Sequence, residues 1–255
     1  MIAFSMEEHI EVSDFKWLNY HHTYLQELRQ KYRLNSLINE QMDELQIVEV
    51  VMNWVSGLWE HNGLNEPRHF DPLFILEEVS NGKQYRCVEY AIVLNGCLNV
   101  LGLYSRILSL KTQDCETREY GAGHIVVEVF IPKLKKWIMA DPQFNVVPYV
   151  NNTPINAVEF ALSKNDTVQI NRSFGNDFSY FDWIMPYLFY FTVNFDNRVN
   201  DNRSYKEKKQ LMLVPINAKK PTVFQRVHPI GDVQYTSSLK GFYIDPRTIY
   251  TASLS

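Results

Sequence analysis

One run of residues limits the fold more than any other. Gly82-Lys83-Gln84-Tyr85-Arg86-Cys87-Val88-Glu89-Tyr90-Ala91 leads into an apolar segment that stops at Gly102. Ala91, Leu94, Leu98 and Leu101 step by three, four and three, and Tyr90, Val93, Cys97 and Val100 repeat that spacing on a second face. Both spacings are helical. A helix apolar nearly all round belongs in a protein interior. Gly102, just past the last apolar residue, is suited to the left-handed position that closes a helix. Cys87 is therefore expected in the first turn, where unpaired N–H groups and the helix dipole favour a thiolate.

Two later residues complete a chemical set with Cys87. His124 opens Ile125-Val126-Val127-Glu128-Val129-Phe130-Ile131, and Asp141 closes Trp137-Ile138-Met139-Ala140. Both segments are rich in β-branched and aromatic residues and predict strands, with a turn at Pro132-Lys133-Leu134-Lys135 between them. If Ile131 sits opposite Lys136, Asp141 falls opposite Val126, and His124 and Asp141 share a face as diagonal neighbours, about 7–8 Å apart. A turn one residue shorter would put them on opposite faces. A cysteine nucleophile must lose a proton, a histidine can take it, and a carboxylate can hold the imidazole ring. Cys87, His124 and Asp141 supply these three parts.

A cysteine on a buried helix, a histidine starting a strand and an aspartate ending the next resembles the transglutaminase-like superfamily of papain-related thiol enzymes. Arg86-Cys87-Val88-Glu89-Tyr90-Ala91 resembles the Arg-Cys-Gly-Glu-Trp-Ala signature of peptide N-glycanases within it. Residues 124–142 follow their His-x-x-x-Glu-Val…Trp…Asp-Pro pattern through Glu128-Val129, Trp137 and Pro142. The match covers roughly residues 80–148, and the zinc-binding Cys-x-x-Cys pairs of the glycanases are absent. The resemblance implies an α+β fold with a papain/transglutaminase-like core: a buried nucleophile helix packed on an antiparallel sheet. It also implies thiol-dependent cleavage of an amide or peptide bond through an acyl-thioester. Acyl transfer to an amine and glycanase-like deglycosylation are the other activities it admits, and a peptide-binding module that keeps the fold is the non-enzymatic one. Gln84 is similar to the side-chain amide that completes the oxyanion hole of papain-like enzymes, though at a different spacing. Arg86 and Glu89 flank the nucleophile and are candidates for substrate contact. A carboxylate in a first helical turn also serves the helix dipole, which is the simpler role for Glu89.

The remaining sequence sets bounds. With 255 residues, 45% hydrophobic and 21% charged, the chain has the composition of a soluble globular protein. Its organisation reads as a helical region over 1–60, a catalytic core over 61–150 and a strand-rich part over 151–255 in the same compact unit. A net charge of −4 without a basic run argues against nucleic acid as a partner. No signal peptide is visible, and the apolar stretch 181–195 is too short and too interrupted by polar residues to span a membrane. The expected partner is a peptide, protein or other amide substrate; oligomeric state is not readable. Three cysteines without metal-type spacing predict free thiols in a reducing, cytoplasmic setting. No cofactor is expected. No metal is either, since the adjacent His21 and His22 diverge on a helix and His61 and His69 lack neighbouring ligands. Cys97 is expected in the core. Cys115 lies in a polar loop, 112–123, which is expected to be a mobile lid beside His124.

Helices are predicted over 18–37, with a break near Asn35-Ser36, over 40–59, 73–79 and 155–162. Strands are predicted over 103–111, 186–195, 210–216, within 222–235, and at 241–244.

Overall fold

The computed structural model describes residues 2–7, 15–163, 167–175, 177–200, 203–204 and 207–252. Four helices come first, and two of them start later than predicted, the first at Thr23 rather than 18 and the second at Glu44 rather than 40. Helix α1 (Thr23–Lys31) is followed by a single 3₁₀ turn, Leu34–Leu37, so the break falls just before Asn35-Ser36. Asp43 caps α2 (Glu44–Ser56) by accepting the Gln46 N–H, while Gln46 accepts from the Asp43 N–H in return. Asp71 caps α3 (Pro72–Ser80), with proline at the first helical position.

Helix α4 (Cys87–Val100) is the interior helix: every residue from Val88 to Val100 is buried. It ends in paired hydrogen bonds, Leu103 N–H to the Leu98 carbonyl and Gly102 N–H to that of Asn99. Gly102 sits at φ +85°, so the glycine meets a real backbone demand there. Gly96 serves a different purpose. A Cβ at that position would stand 2.4 Å from Pro72 Cγ, so the missing side chain is what lets α3 lie against α4.

The helices cover one face of a six-stranded sheet ordered β11-β8-β7-β1-β2-β3. Its members are β1 (Ser105–Lys111), β2 (Gly123–Ile131), β3 (Lys136–Ala140), β7 (Tyr190–Asn194), β8 (Gln210–Leu213) and β11 (Val233–Thr236). All neighbours are antiparallel except β8 and β11. This is the expected α+β class with its buried helix on an antiparallel-rich sheet. Half the strands come from residues beyond 150, so the sheet is continuous across the chain. A small sheet of β4 (Pro148–Val150), β5 (Thr153–Pro154) and β6 (Val168–Ile170) and a hairpin of β9 (Val223–Phe224) and β10 (His228–Pro229) complete the strands among the described residues.

Strand alternation divides the interior into two main cores. Ile125, Val127 and Val129 of β2 pack with α1–α4, whereas Val126 and Phe130 pack with Trp137, Phe191, Leu211 and the later helices. The later helices are α5 (Ala157–Leu162), α6 (Tyr180–Ile184), α7 (Leu239–Phe242) and α8 (Pro246–Ala252).

Two expectations need correction. The strand predicted over 186–195 begins only at Tyr190: Met185–Tyr187 is a 3₁₀ turn following α6, because Pro186 suits a helical first turn and supplies no ladder N–H. The strand predicted at 241–244 is instead the end of α7, whose N-cap Ser238 accepts the Gly241 N–H. No helix among the described residues is long and apolar enough to cross a membrane.

Candidate active site

The hairpin register decides whether His124 and Asp141 can meet. Ile131 pairs with Lys136 and Val127 with Ala140, so Asp141 follows on opposite Val126, on the face that carries His124. Asp141 Oδ2 lies 2.7 Å from His124 Nε2. The aspartate is fully buried and the histidine is 2% exposed.

Asp141 is held from several directions. Its Oδ1 accepts the backbone N–H groups of Gln143 and Phe144 at 3.1 and 3.4 Å, and its Oδ2 accepts the Tyr180 hydroxyl at 2.8 Å. Burial and the Asp141 charge push the Tyr180 pKa far up, so its hydroxyl keeps the proton it donates. His124 is boxed by aromatic rings: Trp183 edge-on at 4.8 Å between centroids, and Phe144 and Tyr187 at 6.1 Å each.

The other side of the imidazole meets Cys87. With Nε2 committed to Asp141, Nδ1 is left free of the carboxylate, and Cys87 lies near enough to bias the charge of the ring. The meeting occurs at the start of β2, where the N-terminus of α4 reaches the end of the sheet. Burial opposes a charge on His124, but the Asp141 carboxylate and the contact with Cys87 outweigh it and raise its pKa from 6.5 to about 10. The carboxylate thus biases the ring toward its protonated form.

Cys87 is half-buried and opens onto a cleft of about 450 Å³. The cleft is bounded by His61 and Gly63 before α3, by Arg86 and Val88, and by Ser109 and Lys111 of β1. Gly121 and Gly123 edge it, and Phe224, Gln225, His228 and Pro229 of the β9–β10 hairpin form the far wall. Gly123 fits closely against that wall, since a Cβ there would lie 3.1 Å from the Phe224 ring. His61 is near enough to His124 to feel its charge, and burial, followed by that repulsion, lowers its pKa.

The other candidates are placed as follows. Glu89 is fully buried; its carboxylate accepts the Arg86 backbone N–H at 3.0 Å and pairs with the Arg86 guanidinium at 2.8 Å. Glu89 thus closes the first turn of α4 and anchors Arg86. Arg86 also pairs with Glu66 at 3.1 Å and lines the cleft, so it faces that space already ion-paired. Gln84 is not among the cleft-lining residues, and its backbone carbonyl accepts from Asn65. Cys97 is fully buried, which drives its pKa strongly upward.

The loop 112–123 is not a free lid. Cys115 and Ala122 are wholly buried, in a third core with Tyr190, Met212 and Val214. The Cys115 carbonyl accepts the Gln225 N–H at 2.8 Å, the Glu116 carboxylate takes the Thr222 N–H at 2.9 Å and pairs with Lys219, and the Thr117 carbonyl accepts from Arg226 at 2.7 Å. The apolar anchors were hidden in a polar-looking stretch. Burial raises the Cys115 pKa to about 11, which makes it a structural thiol.

Tyr180, Trp183 and Lys111 were not singled out from the sequence, and His61 was considered only as a metal ligand. The aromatic density around 180–191 was visible there, but nothing tied it to His124. Among the described residues no group of three or more His, Cys, Asp or Glu is arranged to hold a metal ion.

No protein-family model matches the chain, and no curated protein matches it. Solved structures do resemble it at low identity. A presumed cysteine protease from Cytophaga hutchinsonii is 14% identical, covering 61% of this chain and 49% of its own, with a TM-score of 0.38. A presumed protease from Parabacteroides distasonis is 16% identical, covering 45% of this chain and 26% of its own, with a TM-score of 0.33. A structure described as a TGase is 17% identical, covering 46% of this chain and 30% of its own, also with a TM-score of 0.33. The chain spans less than half the length of each of these neighbours.

Proposed function

We propose that the protein is a thiol-dependent hydrolase that cleaves an amide or peptide bond through an acyl-thioester on Cys87. The observation that carries this reading is the buried His124–Asp141 pair, set beside a half-buried thiol at a helix N-terminus.

The chemistry follows in two halves. The Cys87 sulfur attacks the substrate carbonyl, and the carbonyl π electrons move to oxygen. The developing oxyanion is met by the backbone N–H of Cys87, which has no intrahelical acceptor at the first helical position. As the C–N bond breaks, His124 donates its Nδ1 proton to the leaving amine. Neutral His124 then takes a proton from water, the hydroxide oxygen attacks the thioester, and the acid product leaves as the Cys87 thiolate reforms. Asp141 keeps its charge throughout and holds the ring in register. Water is the acceptor in this reading, as the acyl acceptor present in every aqueous site.

The test is labelling of Cys87 by iodoacetamide at neutral pH. Labelling in the wild type should be faster than in His124→Ala by roughly 10–100-fold. Equal rates in the two proteins would remove His124 from the chemistry and the enzymatic reading with it. Release of free amine from a peptide library, absent in Cys87→Ala, would then establish hydrolysis. Incorporation of an added amine in place of water would redirect the reading to acyl transfer.

A further inference from the structure

The segment before α3 is fastened to the approach to Cys87. The Trp59 indole N–H and the Asn62 backbone N–H both donate to the Tyr85 carbonyl, at 3.3 and 2.9 Å. The Tyr90 hydroxyl donates to the Trp59 carbonyl at 2.5 Å, and the Trp59 and Tyr90 rings stack with centroids 4.0 Å apart. The Asn65 side-chain amide donates to the Gln84 carbonyl at 2.7 Å, and Glu66 pairs with Arg86. His61 therefore lies between two residues whose donors end on Tyr85. Cys87 follows Tyr85 by two residues, a span of at most about 7 Å.

The ring of His61 belongs to the cleft. Its Cε1 stands 3.7 Å from where a Cβ on Gly63 would be, and His61 and Gly63 line the cleft together with Cys87 and Val88. The ring also feels the charges of His124 and Asp141. The residue is exposed, so a bound molecule can reach it. The imidazole is nonetheless partly desolvated, and this, followed by the His124 charge, lowers its pKa from 6.5. A neutral imidazole keeps one N–H donor.

An oxyanion accepts more than one hydrogen bond, and the backbone N–H of Cys87 supplies a single one. Gln84, the side-chain amide expected beside it, does not line the cleft. Arg86 is engaged by Glu89 and Glu66, and His228 stands on the far wall.

We infer that His61 is a further catalytic residue, whose imidazole N–H holds the oxyanion formed when Cys87 attacks a carbonyl. This rests on the reading of Cys87 as the nucleophile and adds the side chain that steadies its product. As the sulfur–carbon bond forms, the carbonyl π pair moves to oxygen, and His61 donates a hydrogen bond to that oxygen without giving up its proton. The pair returns as the leaving group departs, so His61 ends the step as it began. Its fastening to Tyr85 through both neighbours holds the donor in place before the charge develops.

The experiment separates two reactions of the same sulfur at pH 8, where His61 is neutral. Acylation by p-nitrophenyl acetate, read as the burst of p-nitrophenolate, passes through an oxyanion. Alkylation by iodoacetamide does not. In His61→Ala acylation should slow on the order of 100-fold, while alkylation stays close to the wild-type rate. His61→Asn or His61→Gln, whose amides donate, should recover part of the acylation rate. Because His61 is exposed, its truncation leaves the packing of α4 intact. Equal acylation of wild type and His61→Ala would overturn the inference. So would an equal slowing of both reactions, which would tie His61 to the thiolate, or failure of both amide variants to exceed His61→Ala. Slow alkylation that His124→Ala leaves unchanged would instead overturn the nucleophile reading.

Discussion

Tyr180 and His124 share one oxygen: Asp141 Oδ2 accepts the Tyr180 hydroxyl at 2.8 Å and faces His124 Nε2 at 2.7 Å. The two donors arrive from different parts of the chain, α6 and β2, so the carboxylate is pinned by residues 56 positions apart. Tyr180→Phe removes one donor without changing the ring packing against Phe144, Phe174 and Trp183. Stability should fall by about 1.5–3 kcal/mol, as for a hydrogen bond to a charged group. Alkylation of Cys87 should slow by a few-fold, measured at fixed pH by mass spectrometry. Unchanged stability and rate would show that Tyr180 plays no part in holding Asp141.

Asp141→Asn removes the charge that keeps His124 protonated. Its turnover should drop roughly a hundredfold without vanishing, because a thiol needs less base assistance than a hydroxyl. The pH profile of Cys87 alkylation should move to higher pH in the variant. Superimposed profiles would mean that Asp141 does not act on His124.

The raised pKa of His124 also has a sign for stability. Because it lies above the ordinary 6.5, its contribution to folding is fully present below about pH 6.5 and is lost as pH rises through about 10. The stability gap between wild type and Asp141→Asn should therefore narrow between these limits. Denaturant midpoints measured at pH 6, 8 and 10 test this; a constant gap would indicate loss of hydrogen bonds only.

Gly96→Ala should be destabilising despite the higher helix propensity of alanine. The new methyl would sit 2.4 Å from Pro72 Cγ and 3.4 Å from Leu28 Cδ2, forcing α3 away from α4 at a cost of about 1–3 kcal/mol. Adding Pro72→Ala should recover part of that loss. An additive double variant would show that the two positions do not press on each other.

Thiol counting gives the quickest check. In the native protein one thiol, Cys87, should react rapidly with iodoacetamide, since Cys97 and Cys115 are wholly buried. All three should react in denaturant. Early modification of Cys115 would mean that the straps from Glu116 and Gln225 open readily.

Much of the site was legible because each part follows a local rule. Apolar spacing announced α4, and a four-residue turn of fixed parity put His124 and Asp141 on one face. The glycine cap at Gly102 was equally readable, since it depends only on residues a few positions away. What stayed hidden depends on distant segments. Nothing near Tyr180 reveals that its hydroxyl ends on Asp141, and Lys111 looks like an ordinary strand-end cation until Ser109 and Thr192 close on it. Cys115 was misjudged for the same reason: its polar neighbours spend their side chains on residues 219–226, and that leaves the thiol inside.

The site is also distributed in time. A nascent chain that has emerged only to residue 160 already contains Cys87, His124 and Asp141. It still lacks the tyrosine that fixes the aspartate, the rings around the histidine and the hairpin that forms the far wall of the cleft. Half of the sheet's strands are missing as well. The site described above is therefore complete only once residues 180–236 have been made, although Cys87, His124 and Asp141 all precede them.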